Sequence, residues 1–360
     1  ITSEKEVNGY LKELNGQKYV VTGVEDSQRT RNPYAPFITS TLQQEASKVY
    51  GFSPKQTMGI AQKLYEGIEI GKEGAVGLIT YMRTDSVRVS NVAIDAVRGY
   101  IGKEFGKNYL PAKPILYGSK KGAQDAHEAI RPTNVELSPE KVKKYTTAQE
   151  YKLYDLIWKR FVASQMNPAK YDVETITITA GRFEFRATAQ RIKFDGFLRV
   201  YHEGKEPDEN GNGENGDMTL PALKENDKLN MTKLTPNQSF TKPPPRFSEA
   251  MLVKCMEADG IGRPSTYASI ISTLKDRKYV DAKERKLFPT DLGTTVNKIL
   301  TESLPEIFDV KFTAEMEQEL DLIEDGTDDW VKVINDFYKP FKKTIDSLKK
   351  IKYPNAEFII

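Results

Sequence analysis

A change of periodicity that happens twice along the chain limits the fold most. Residues 171–201 alternate with period two. Val173, Thr175, Thr177 and Thr179 share one face of a predicted strand over Tyr171–Thr179. Phe183, Phe185 and Ala187 share a face of a second over Arg182–Ala189, with Gly181-Arg182 placed for a tight hairpin turn. Further strands are predicted over Lys18–Val24, Ile192–Tyr201 and Lys228–Leu234. Between the first strand and this β-rich region the apolar residues recur at helical spacing. Met58, Ile60, Ala61, Leu64 and Tyr65 do so in Lys55–Glu66. Val92, Ile94, Val97 and Ile101 do so in Asn91–Phe105, behind Ser90 as a cap, and Ala148–Met166 reads as a long helix ended by Pro168. Beyond Pro243-Pro244-Pro245 the chain is helical again, over Ser248–Asp259, Pro264–Asp276, Asp291–Thr301, Thr313–Glu324 and Asp328–Lys350. The expected class is α+β multidomain, with an α-rich unit of about residues 36–166 inserted into a β-rich one. Residues 203–217 are nearly all turn-formers and charges and are expected to form a mobile surface loop.

Composition removes several function classes. No run of 18 apolar residues is present, so no membrane span is expected, and the N-terminus lacks the basic-then-apolar order of a signal peptide. One cysteine, Cys255, excludes an internal disulfide and a multi-Cys zinc site. With His127 and His202 the only histidines, no His-rich metal site is expected either. A reducing cytoplasm is the expected compartment. The net charge of +2 says little about partners, but its distribution is uneven: residues 302–329 carry eleven Asp/Glu and one Lys, Lys311, while residues 242–286 carry ten basic and six acidic residues. Two ordinary amphipathic helical surfaces would also give these counts. Gly67 to Lys72 is followed by Glu73 where a phosphate-binding loop needs Ser or Thr, so no ATP site is expected.

Three segments carry candidate chemistry. In Gly77-Leu78-Ile79-Thr80-Tyr81-Met82-Arg83-Thr84-Asp85-Ser86 an apolar, β-prone stretch runs into a polar one. If extended, it puts the Tyr81 phenol and the Arg83 guanidinium on one face, a nucleophile beside a cation able to hold a phosphodiester. A buried Tyr with a solvated Arg would show the same pattern. In Gln124-Asp125-Ala126-His127-Glu128-Ala129-Ile130-Arg131, His127 lies between carboxylates and can hydrogen-bond a phosphate oxygen or shuttle a proton, or it can be a satisfied core histidine. In Gly260-Ile261-Gly262-Arg263-Pro264-Ser265-Thr266-Tyr267, Pro264 suits a first helical position. Ser265 and Thr266 would then offer hydroxyls and free N–H groups to an anion beside Arg263, with Tyr267 available to stack a base; a well-capped helix reads alike.

Together with Ala35-Pro36-Phe37-Ile38-Thr39-Ser40-Thr41-Leu42-Gln43-Gln44 and Phe247-Ser248-Glu249, these segments resemble, in the same order, the signatures of the bacterial type IA DNA topoisomerases. The resemblance covers nearly the whole chain. It implies that Tyr81 is the nucleophile of a 5′-phosphotyrosine intermediate, that Arg83 positions the scissile phosphate and that His127 assists. It implies DNA contacts by Arg131, Arg263, Ser265, Thr266 and Tyr267. It also implies a toroid arch: a β-rich hinge over 1–35 and 167–242, a lid with Tyr81 over 36–166 and part of a helical base over 243–360. The implied activity is ATP-independent relaxation of negatively supercoiled DNA by cleaving, passing and resealing single strands, in a nucleoid-associated cytoplasmic monomer. The implied cofactor is Mg²⁺, held by acids of a TOPRIM domain. No such acids are found here, so the chain by itself is expected to bind no metal and to be inactive, as a piece of a longer protein. A non-catalytic single-stranded nucleic-acid-binding module with winged-helix-like units is the competing reading. A tyrosine recombinase is disfavoured because Tyr81 precedes His127 in the chain.

Overall fold

A computed structural model describes residues 2–118, 127–204 and 220–349. In chain order, helix α1 (Glu4–Leu14) and strand β1 (Tyr19–Arg31) precede helices α2 (Thr39–Tyr50) and α3 (Pro54–Glu66). Short strands β2 (Ile68–Glu69) and β3 (Ala75–Val76) lead to helices α4 (Asn91–Glu104), α5 (Pro139–Val142) and α6 (Ala148–Ser164). Strands β4 (Ala169–Ala180), β5 (Phe183–Phe194) and β6 (Lys228–Leu229) follow. The C-terminal part holds helices α7 (Glu249–Ala258) and α8 (Tyr267–Asp276), the hairpin β7 (Val280–Lys283) and β8 (Lys286–Pro289), and helices α9 (Asp291–Ser303), α10 (Val310–Glu324) and α11 (Trp330–Leu348). Contacts divide the chain into two units: residues 1–35, 91–115 and 159–245, and residues 36–90, 116–158 and 246–360. Residues 91–115, which the helical periodicity groups with the insertion, thus pack with the β-rich unit.

The first unit is built on an antiparallel sheet of order β5-β4-β1-β6. The β4–β5 hairpin closes through Gly181-Arg182, with Ala180 opposite Phe183 and Gly181 at φ 59°, the left-handed conformation such a turn needs. Leu14, Tyr19 and Ala180 form a buried cluster, with Ile178, Phe183 and Phe185 packed against it. The more buried face of β4 near the turn is therefore that of Ile176, Ile178 and Ala180, opposite the one shared by Val173, Thr175, Thr177 and Thr179. Arg160, buried on α6, donates from Nε to the Ala35 carbonyl at 2.6 Å and from Nη1 to the Tyr201 hydroxyl at 3.0 Å. Its guanidinium lies 4.6 Å from the centre of the Tyr34 ring.

Some expected elements are corrected. The strand over Ile192–Tyr201 does not form: β5 ends at Phe194 and residues Gly196–Arg199 make a 3₁₀ turn that buries Phe197 and Leu198. The cause is Gly196, at φ 51° and pressed against the Asn167 and Pro168 carbonyls, where the chain must turn. The strand at Lys228 is two residues long. On α4 the buried residues are Ile94, Val97 and Ile101, whereas Val92 is 81 % exposed. The loop expected over 203–217 lies, from residue 205 on, outside the described residues, as does Gln124-Asp125-Ala126.

In the second unit α2 packs on α7 and α3 on α8. Leu42, Ala46, Ile60, Ala61, Leu64 and Leu78 are buried, as are Leu153, Tyr154 and Trp158 of α6. The Tyr154 hydroxyl donates to the Leu137 carbonyl and the Trp158 indole to that of Val135, so both rings bury their apolar bodies with the polar atom satisfied. Helices α9 and α10 bury no residue, and α11 buries only Val333, leaving Leu292, Ile299, Leu320, Trp330 and Ile334 exposed. Among the described residues no helix is long and apolar enough to cross a membrane.

Candidate active site

The Tyr81 segment is held by two others of the same unit. Gly77–Thr80 is not the regular strand expected from its apolar sequence; it makes a single bridge, Ile79 to Pro132. Hydrogen bonds on either side complete the seam. The Thr80 N–H donates to the Arg131 carbonyl at 2.9 Å and the Thr133 N–H to that of Leu78 at 3.0 Å. The Thr80 hydroxyl donates to the Ala129 carbonyl at 2.7 Å and accepts the Arg131 N–H at 3.0 Å. On the other side Thr39, buried at the start of α2, clamps the turn after Tyr81. Its hydroxyl donates to the carbonyls of Met82 (2.7 Å) and Thr84 (3.0 Å) and accepts the Thr84 N–H at 2.9 Å. The residues to either side of Arg83 are thereby fixed.

Met82 is buried and anchors the segment, with Tyr81 half-buried before it and Arg83 exposed after it. The Tyr81 ring is bracketed. His127 stacks on it with centroids 5.6 Å apart and planes at 30°, and Tyr65 meets it edge-on at 5.3 Å. Two of the sequence-predicted site residues thus lie in contact, with the third two positions away. Arg131 is nearby in the backbone, but its guanidinium is committed: Nε and Nη2 lie 2.8 and 2.7 Å from the Glu128 carboxylate and Nη1 donates to the Pro132 carbonyl.

The third motif differs from expectation. Helix α8 starts at Tyr267, not Pro264, and residues 264–266 form a turn. The N–H groups of Thr266 and Tyr267 are not free, since both donate to the Arg263 carbonyl, and the Thr266 hydroxyl accepts the Arg263 N–H at 2.8 Å. Ser265 is exposed. Tyr267 is largely covered: it is 6 % exposed, packed with Val253, Met256 and Ile271, and burial pushes its pKa up to about 12, though it still lines the cavity beside Arg263. Arg263 is not open either. Its Nη2 donates to the Asp321 carboxylate at 2.7 Å and to the Glu317 carbonyl at 3.0 Å, and its Nη1 lies 3.5 Å from the Glu317 carboxylate. Burial alone would lower its pKa, but the Asp321 hydrogen bond and the Glu317 and Asp321 charges leave it above its ordinary value. Arg263, Asp321, Thr84 and Asp85 line a cavity of about 390 Å³, and Thr84 lies three positions beyond Tyr81.

These segments belong to one continuous family likeness, for a family profile described as DNA topoisomerase matches residues 1–335. DNA topoisomerase 1 of Xylella fastidiosa (strain Temecula1) is 48 % identical over 333 residues, covering 91 % of this chain and 40 % of that protein. The chain belongs to the type IA DNA topoisomerases. DNA topoisomerase 1 of Rickettsia bellii is 46 % identical over 353 residues, 97 % of this chain and 44 % of that protein. Full-length topoisomerase I from Thermotoga maritima superposes with a TM-score of 0.80 at 37 % identity, over 96 % of this chain and 55 % of that one. The mixed α+β class expected from sequence is that of the Thermotoga enzyme. This topoisomerase chain spans less than half the length of the curated relatives it matches.

Mg²⁺ does not fit here: among the described residues no group of three or more His, Cys, Asp or Glu side chains converges to hold a metal. Sequence reasoning missed Thr39, Thr80, Tyr65 and Glu128. Thr39 and Thr80 stood inside the quoted signatures, but their partners, the backbone at 82–84 and at 129–131, are distant in sequence.

Proposed function

We propose that this chain supplies the nucleophile of a type IA topoisomerase that cleaves one DNA strand, lets another pass and reseals the break without ATP. The carrying observation is the Tyr81 ring stacked on His127, with the exposed Arg83 two residues on, beyond the buried Met82. The Tyr81 oxygen attacks the scissile phosphorus. An O–P bond to the phenol forms, the bond to the deoxyribose 3′-oxygen breaks, and the strand's 5′-phosphate stays on Tyr81. The phenol loses its proton and the leaving 3′-oxygen gains one. Arg83 holds the phosphate and offsets its charge in the transition state. His127 hydrogen-bonds a phosphate oxygen. Resealing is the reverse attack by the 3′-hydroxyl, and the stored phosphotyrosine bond supplies its energy, so no nucleotide is consumed. Lid, hinge and base roles for residues 36–166, for 1–35 with 167–242, and for 243–360 are part of this reading, as are Mg²⁺ bound by acids outside this chain, single-stranded DNA contacts at Arg263 and Ser265, and action as a cytoplasmic, nucleoid-associated monomer. The family likeness supports them.

The test is Tyr81→Phe in the complete enzyme. Phe keeps the ring packed between His127 and Tyr65 but lacks the attacking oxygen. Covalent DNA attachment should vanish while the melting temperature and binding of a single-stranded oligonucleotide stay close to wild type. Retained attachment would assign the chemistry to another residue and leave this chain a DNA-binding module.

A further inference from the structure

The acidic residues of α10 point to a device at Arg263. We propose that Asp321 and Glu317 stand in for DNA phosphate, holding the arginine until a single strand displaces them. This rests on the reading of Arg263 as a DNA contact.

The ion pair is well made but exposed: the side chains of Arg263, Glu317 and Asp321 are 30 %, 22 % and 43 % exposed. A pair this accessible is weak, worth at most a few-fold in equilibrium terms, so a phosphate can replace it at little cost. The turn that carries Arg263 does not depend on it. The Arg263–Thr266 hydrogen bonds and the burial of Tyr267 fix that turn from within. Helix α10 buries no residue, so little packing opposes its displacement. Both Nη groups are nevertheless engaged, by the Gly262 and Glu317 carbonyls and the two carboxylates. A phosphodiester cannot take a forked hold on the Nη pair while those partners stay in place. The cavity beside it, with Gly260 and Gly262 in its wall, gives a strand backbone room to approach. Charge explains the choice of partner: α10 presents Glu315, Glu317, Glu319, Asp321 and Glu324, an acidic surface of the sign that a phosphate backbone carries.

The experiment measures binding of a fluorescent single-stranded oligonucleotide of mixed sequence to the full chain. The variants are Asp321→Asn, the pair Asp321→Asn with Glu317→Gln, and each of these combined with Arg263→Ala. Freeing the arginine should tighten binding about fivefold at low salt. It should also steepen the slope of log affinity against log salt by about 0.7, one further single-strand phosphate contact. Both gains should vanish in the Arg263→Ala background. A gain that persists without Arg263 would mean general relief of repulsion and overturn the proposal. So would unchanged or weaker binding by folded variants, or failure of both Asn-containing variants to fold, since either makes the contact a strut. If the wild-type chain binds but Arg263→Ala changes nothing, the placement of Arg263 on DNA falls, and the competitor role with it. If no form binds, the reading of this chain as a DNA contact falls as a whole.

Discussion

At the scale of the residue, the clamp made by Thr39 carries more of the site than its position suggests. One hydroxyl joins the Met82 carbonyl, the Thr84 carbonyl and the Thr84 N–H, the backbone groups that flank Arg83. Thr39→Val keeps the shape but leaves the buried Thr84 N–H without that acceptor, at a cost of about 1–3 kcal/mol. Because the turn then no longer fixes Arg83, strand cleavage by the complete enzyme should slow by roughly ten- to a hundredfold, while Tyr81 remains able to attack. Urea unfolding and single-turnover cleavage measure the two effects; cleavage at the wild-type rate would show that Arg83 needs no such support. The outward placing of Tyr81 and Arg83 around the buried Met82 follows the local alternation of the sequence, which needs no distant partner. The packing around Tyr267 was not legible, for the opposite reason. Its spacing with Ile271 marks a helix face, but only the fold shows that Val253 and Met256 cover that face. The engagement of Arg263 with Glu317 and Asp321, more than fifty positions away, leaves no local trace in the sequence either.

At the scale of the element, helices with a clear apolar stripe were read within a few residues, as in α3 and α7, and the structure caps both, with Ser53 and Ser248. Readings failed where the backbone, rather than side-chain pattern, sets the limit: Gly196 ends a strand, and residues 264–266 stay in a turn closed on the Arg263 carbonyl, with regular helix only from Tyr267. Two glycines separate propensity from packing. Gly99 lies in α4 with open space around it, so Gly99→Ala should stabilise the chain by up to about 1 kcal/mol, the helix-propensity gain. Gly293 lies in the first turn of α9, where a Cβ would run into the Tyr279 carbonyl, while Thr290 caps the helix through the Gly293 N–H at 3.0 Å. Gly293→Ala should therefore destabilise by about 1–3 kcal/mol despite the same propensity gain, because close approach outweighs it. Denaturant midpoints of the two variants should move in opposite directions; parallel shifts would contradict the packing at the start of α9.

At the scale of the whole molecule, the order of motifs identified the family, but periodicity could not show which helices pack together. Residues 91–115 follow the lid pattern in sequence yet group with the β-rich unit, and Ile94, Val97 and Ile101 are buried. The account places the metal-binding acids outside this chain, so the chain alone should leave negatively supercoiled plasmid unrelaxed with Mg²⁺ present; relaxation seen on an agarose gel would show that it holds a complete site. The central claim is tested most directly by mapping the covalent link. The complete enzyme is trapped on a single-stranded oligonucleotide labelled at either end and digested, and the DNA-bearing peptide is identified by mass spectrometry. The account predicts a single adduct, on the peptide containing Tyr81, joined to a 5′-phosphate, with a free 3′-hydroxyl on the released fragment. An adduct on another residue, or a link through a 3′-phosphate, would contradict it.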